Sequence, residues 1–149
     1  MDKFMKRAVQ LALQNVNKGG QPFGAVLVHQ DTIIAEGINE MHQKHDVSSH
    51  AELNAIRAAQ AQLQTSDLSD FVMYASGYPC PMCLASMYFV GIKKIYYCAS
   101  LEELKQIGLK LSAEIYKDLT KNSTERDIVM KQLPITGDTE NPLKLWAKK

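Results

Sequence analysis

At 149 residues the chain is about one domain's worth, long enough to bury roughly two-thirds of its unfolded surface without staples. Its 46% hydrophobic and 22% charged residues exclude a disordered chain, and 17 Lys and Arg against 16 Asp and Glu leave a net +1, so no basic field advertises nucleic acid as the main partner. Three cysteines exclude a disulfide framework, and the spacing of Cys80 and Cys83 points to metal or redox chemistry instead.

The first element is an amphipathic helix with Phe4, Ala8, Val9, Leu11, Ala12 and Val16 recurring every three to four residues, stopped by Gly19 and Gly20. Gln10, Gln14 and Asn15 interrupt its apolar side, so it is neither a signal peptide nor a membrane span, and the expected setting is soluble and cytoplasmic. Residues 24–28 and 32–35 form two β-branched runs around His29-Gln30-Asp31, a hairpin whose turn type the sequence leaves open. Residues 39–49 are polar and unpatterned, hence a loop. A helix over residues 50–63 follows, with Ser49 as its expected cap and Glu52 at capping-box spacing. A strand at 70–75, a helix at 81–90 opened by Pro81 and a strand at 94–98 come next. Helical patterns at 101–107 and 112–120, a short strand at 128–132 and an amphipathic piece at 142–146 complete the chain. Strands alternating with helices after a hairpin predict a single α/β domain, a three-layer α/β/α sandwich. Its mixed five-stranded sheet would be antiparallel at the hairpin and parallel where helices cross over.

Two pieces at helix starts carry the chemistry: His50-Ala51-Glu52 and Pro79-Cys80-Pro81-Met82-Cys83. Two thiolates and one imidazole suit Zn²⁺, and three protein ligands leave a fourth position open, the mark of a catalytic zinc. Such a metal lowers the pKa of water to ~7. Helix-start amides and the positive dipole end favour thiolate at Cys80 and Cys83. Glu52 is the expected proton shuttle. Positions i and i+2 of a regular helix point ~200° apart, so His50 is expected at the very start, with an irregular first turn. The order H-x-E then P-C-x-x-C is the zinc deaminase signature.

Cys-x-x-Cys alone fits a thioredoxin-like redox site about as well, but a dithiol oxidoreductase has no need of His50 and Glu52. A structural zinc module would want a fourth ligand. Cys98 is the remaining cysteine, and its strand context makes it a small core residue. His29, His42 and His45 read as solvated surface histidines, Met73 and Met87 as core.

These residues resemble the cytidine deaminase superfamily, and within it the branch holding bacterial guanine deaminases and tRNA adenosine deaminases. The resemblance runs through Gly20 to Val26, Glu36-Gly37-Ile38-Asn39, the stretch from His45 to Glu52, and the tail from Asn141 to Trp146. It implies a cytidine-deaminase-like fold and one Zn²⁺ on His50, Cys80 and Cys83, with Glu52 catalytic. It also implies that Asn39 hydrogen-bonds the base and that Phe23 packs on its face. Ala51 and Cys83 offer backbone amides that could steady developing charge. In the guanine deaminases the C-terminal segment, here about residues 121–149, crosses to a partner, which implies a homodimer with swapped tails.

Two residues depart from that pattern. Tyr78 stands where the family usually has Glu before Pro-Cys, and Lys110 or Leu111 stands where an acid would grip guanine, Glu114 being the nearest substitute. The expected reaction is hydrolytic deamination of an amino-substituted nucleobase, a guanine-like purine or analogue, with a base other than guanine preferred or guanine bound weakly. The alternatives are a tRNA adenosine deaminase and, from another class, a non-catalytic zinc or redox module.

Overall fold

In a computed structural model describing residues 1–149, the Asp2 carboxylate starts the first helix by accepting from the amides of Phe4 (2.8 Å) and Met5 (3.0 Å). This helix, α1 (Lys3–Asn17), buries Phe4, Met5, Ala8, Leu11, Ala12 and Asn15. A hairpin follows, β1 (Gly24–His29) and β2 (Thr32–Ile38). Its two linking residues, Gln30 (φ 48°) and Asp31 (φ 61°), both lie in the left-handed region, the pattern of a type I′ turn without its usual glycine. Then come α2 (Ala51–Leu63), β3 (Val72–Gly77), α3 (Pro81–Phe89) and β4 (Lys94–Ala99). Two further helices, α4 (Leu101–Gln106) and α5 (Leu111–Leu119), precede a 3₁₀ turn at Ser123–Glu125 and a last helix, α6 (Pro142–Ala147).

The α/β sandwich is as expected, but the sheet has four strands in the order β2-β1-β3-β4, not five. Residues 128–132 form no strand, and Ile128, Val129 and Met130 are exposed. A β-branched run without a ladder partner or a surface to cover it has nothing to hold it extended. The β3–β4 pair is parallel, while β3 lies antiparallel to β1. The crossover through α2 does return the chain in the direction of β2, and β1 separates the two.

Alternation along β1 builds the layers. Ala25 and Leu27 enter one core with Ala55, Ala59, Met73 and Met87. Val26 and Val28 enter the other with Phe4 and Leu11 of α1. A fully buried side chain such as Leu27 contributes roughly 1.5–3 kcal/mol. Gly37 brings α2 close to the sheet: a Cβ there would lie 2.0 Å from the Ala51 carbonyl oxygen.

Three local expectations change. His50, not Ser49, is the N-cap of α2, and the Ser49 hydroxyl instead accepts from Asn54 Nδ2 at 3.1 Å. Cys98 is exposed, because β4 is an edge strand whose residues are mostly uncovered. The His29 ring stacks on Phe71 at 4.7 Å rather than standing free in water.

The chain divides into two compact units, Met1–Tyr116 and Lys117–Lys149. In the second, Asn141 Oδ1 caps α6 through the amides of Leu143 (2.9 Å) and Lys144 (3.3 Å). Leu143 and Trp146 are 77% and 76% exposed, so the apolar side of α6 is uncovered. No helix is long and apolar enough to cross a membrane.

Candidate active site

Two helix starts build the reactive corner. His50 is held extended (φ −88°, ψ 157°) as the N-cap of α2. It therefore stands at the very start of α2, outside the helical turn, where the ~200° separation of a regular helix does not apply to His50 and Glu52. Asn54 secures this entry, its Nδ2 donating to the Ile38 carbonyl at 2.8 Å and to Ser49 Oγ. Cys80 is likewise the extended N-cap of α3, with Pro81 at the first helical position and Cys83 at the third. The Cys83 amide donates to Cys80 Sγ at 3.4 Å, so it is engaged with the sulfur rather than offered to a substrate.

His50 Nδ1 lies 3.4 Å from Cys80 Sγ and 3.5 Å from Cys83 Sγ, and the three ligand atoms are all within 4.8 Å of one another. Zn–S bonds of about 2.3 Å and Zn–N bonds of about 2.0 Å at the tetrahedral angle would separate sulfur and nitrogen by about 3.5 Å. The donor set thus fits zinc in both chemistry and spacing. Cys80 is lowered to about 4, first by the hydrogen bond from Cys83 and then by His50. Cys83 is pushed well up by its neighbour's sulfur and by burial, and His50 is raised by its bond to Cys80. Glu52 is 5% exposed, and burial pushes its carboxyl up.

A cavity of about 520 Å³ opens on this corner. Sequence-predicted residues brought to its wall are His50, Glu52, Cys80, Phe23, Asn39, Ala51 and Glu114, while Cys83 lies fully buried behind them. The Phe23 ring lies against β3 at Gly77, where a Cβ would approach it to 2.8 Å. Asn39 is 1% exposed, its Oδ1 accepting from the Met41 amide at 3.0 Å. Lys110 and Leu111 also reach the wall, beside Glu114. Tyr78 lines it too and makes edge contacts with Tyr97 (4.9 Å) and Tyr116 (5.7 Å).

Among the residues that sequence analysis did not single out, two bear on the site's polar contacts. Gln21 lines the cavity, and the Tyr116 hydroxyl donates to the Pro79 carbonyl at 2.6 Å, tying α5 to the loop that carries Cys80. No spacing rule flags either one. A polar residue next to Pro22 could have drawn attention to Gln21, but Tyr116 reads as an ordinary half-buried helix residue.

Residues 1–99 match the family described as the cytidine and deoxycytidylate deaminase zinc-binding region. A guanine deaminase from Bacillus subtilis is 40% identical over 146 residues, which is 97% of this chain and 92% of that protein. The crystal structure of a guanine deaminase from the same species superposes with a TM-score of 0.90 at 39% identity, covering 100% of this chain and 96% of that one. A tRNA-specific adenosine deaminase from Buchnera aphidicola is 33% identical over 103 residues, 69% of this chain and 68% of that protein. A further solved structure, of a protein in complex with 2,6-diaminopurine, matches with a TM-score of 0.67 at 29% identity, covering 70% of this chain and 59% of that one.

Proposed function

Because the chain belongs to the cytidine and deoxycytidylate deaminase zinc-binding family, we propose that it hydrolyses the exocyclic amino group of guanine or a closely similar purine base. One observation carries this reading: a single cavity is walled by His50, Cys80 and the buried Glu52 at one end and by Phe23, Asn39 and Glu114 at the other. His50, Cys80 and Cys83 would hold the zinc. Bound there, it supplies Lewis-acid activation of water near neutral pH. The buried Glu52 carboxyl takes a proton from the attacking water and delivers it to the departing amino nitrogen. One C–O bond forms and one C–N bond breaks, giving the oxo base and ammonia. Ala51, the first residue of α2, offers a helix-start amide to the charge that develops.

Phe23 would stack on the base, Asn39 would hydrogen-bond it, and Glu114 would accept from its N–H groups. Glu114 would then do the work expected of an acid at Lys110 or Leu111, which answers one of the two departures from the guanine deaminase pattern and leaves Tyr78 as the other. The near full-length similarity to a guanine deaminase favours the free base over tRNA, as does the net charge of +1. Retention of Glu52 beside the metal ligands speaks against a non-catalytic zinc or redox module.

The protein would act as a homodimer in which residues 121–149 close the partner's cavity. The uncovered apolar side chains of α6 support this, since a helix of six residues is not stable alone. Cys80 and Cys83, unpaired by any disulfide and placed as metal ligands, suit the reducing cytoplasm. The test is ammonia release from guanine, adenine, cytosine, isoguanine, guanosine, cytidine, pterins and an adenosine-containing tRNA anticodon stem–loop. Guanine is expected to lead, and turnover confined to the stem–loop would overturn the assignment in favour of tRNA editing.

A further inference from the structure

We propose that Gln21 is a specificity-determining residue of this cavity, reading the oxo oxygen of the base, and that Asn15 is the positioning residue that fixes Gln21 and Asn39 together. This rests on the purine-deaminase reading above.

Asn15 lies in the last turn of α1 and is 1% exposed, an unusual place for a carboxamide. Its Nδ2 donates twice, to the Gln21 carbonyl and to the Asn39 carbonyl, both at 2.8 Å. Both of its hydrogens are thus used to join the loop before β1 to the end of β2. The same loop folds back on the helix through the Gly20 amide, which donates to the Asn15 carbonyl at 2.8 Å. The segments that enter and leave the open end of the hairpin are thereby held as one surface.

That surface has a defined polarity. A backbone amide only donates, so the bond from Met41 N fixes Asn39 Oδ1 away from the substrate and turns Nδ2 toward Gln21. Asn39 Nδ2 donates to Gln21 Oε1 at 3.3 Å, which fixes the second carboxamide in turn. Gln21 Oε1 accepts that bond, and its Nε2 has two hydrogens to donate. One hydrogen of Asn39 Nδ2 also stays available. The Asn39–Gln21 edge therefore has donors to offer a base, while Glu114 elsewhere on the wall offers acceptors. A base that satisfies both must carry an acceptor on one edge and N–H groups on another. Guanine does so through its 6-oxo oxygen. 2-Aminopurine has the same reacting amino group but lacks that oxygen, so the two isolate the contact.

The experiment compares steady-state ammonia release from guanine and from 2-aminopurine by the full chain and by Gln21→Ala, Asn15→Ala and the double variant, with zinc content and thermal midpoint measured alongside. Loss of one substrate hydrogen bond predicts about a tenfold rise in the KM for guanine in Gln21→Ala, with kcat within about twofold. The change for 2-aminopurine should stay under about twofold, with zinc and midpoint unchanged. Asn15→Ala should raise the guanine KM by at least that factor, since Asn15 also holds Asn39, and the double variant should be no worse than Asn15→Ala alone, because the Gln21 contact is already lost there. Equal losses on guanine and 2-aminopurine, or an unchanged guanine KM in Gln21→Ala, would overturn this proposal and leave the deaminase assignment standing. Additive losses in the double variant would overturn the role given to Asn15. A wild-type protein that deaminates neither base would overturn both readings together. Gln21 is exposed, so its variant decides the specificity question even if Asn15→Ala folds poorly.

Discussion

The two ends of the cavity are built on different principles. The reactive corner uses two helix starts, with His50 and Cys80 as N-caps and Cys83 and Glu52 buried just inside their helices. Three ligand atoms are packed within 4.8 Å by backbone geometry that short sequence segments dictate. The proposed substrate end is assembled from the loop before β1, the end of β2 and α5, with Gln21 and Glu114 both exposed. On the proposed reading, reaction chemistry is anchored in regular elements, while selectivity would depend on side chains that meet only after the whole unit has folded. Such a division lets a substrate preference change while the reaction stays the same.

The contrast predicts sharply different responses to mutation. The largest belongs to the metal ligands: Cys83→Ala should lower zinc from about one per chain to near none and abolish ammonia release. Elemental analysis checks it, and full occupancy in that variant would break the corner as drawn. Glu52→Ala comes next, keeping zinc and fold while kcat drops about 10²–10⁴-fold. Loss of zinc there would make Glu52 a ligand or prop rather than a proton carrier.

At the substrate end the effect should move from kcat to KM. Glu114→Gln keeps the shape and removes the charge, so the guanine KM should rise about 10–100-fold, the worth of a charge-assisted hydrogen bond, with kcat nearly unchanged. A kcat loss with constant KM would erase the distinction between the two ends. Truncation after Thr139 tests the proposed exchange of tails: light scattering should report monomers, with turnover down about tenfold as water enters the opened cavity. A truncated chain that stays dimeric and fully active would remove the lid. The smallest change expected is Tyr116→Phe, which deletes the hydroxyl bond to Pro79 between α5 and the Cys80 loop. Loss of about 1 kcal/mol should lower the thermal midpoint by about 2–4 °C with zinc retained. Zinc loss in that variant would mean that the two ends are not independent.

Much of the corner was legible from residue order. His50, Glu52, Cys80 and Cys83 stand beside helix-start signals, and each helix begins within a residue of where those signals put it. The outer elements were less legible. The run at 128–132 has strand composition but forms none, and Cys98 has core composition but lies exposed on an edge strand. Both outcomes depend on which neighbours a segment finds, and a local pattern does not carry that information.

The sequence by itself determined the hairpin, the alternation of strands and helices, the donor set for zinc and the acid beside it. Each follows from short-range rules: side-chain periodicity, the free amides of helix starts and the ligand preferences of a metal. Tertiary structure alone decided that β3 would lie against β1, that Glu114 would line the cavity beside Lys110 and Leu111, and that Asn15 would bind the carbonyls of Gln21 and Asn39 at once. Hydrogen bonds between residues 6 and 24 positions apart have no signature along the chain, because their partners are chosen by the packing of α1 against the sheet.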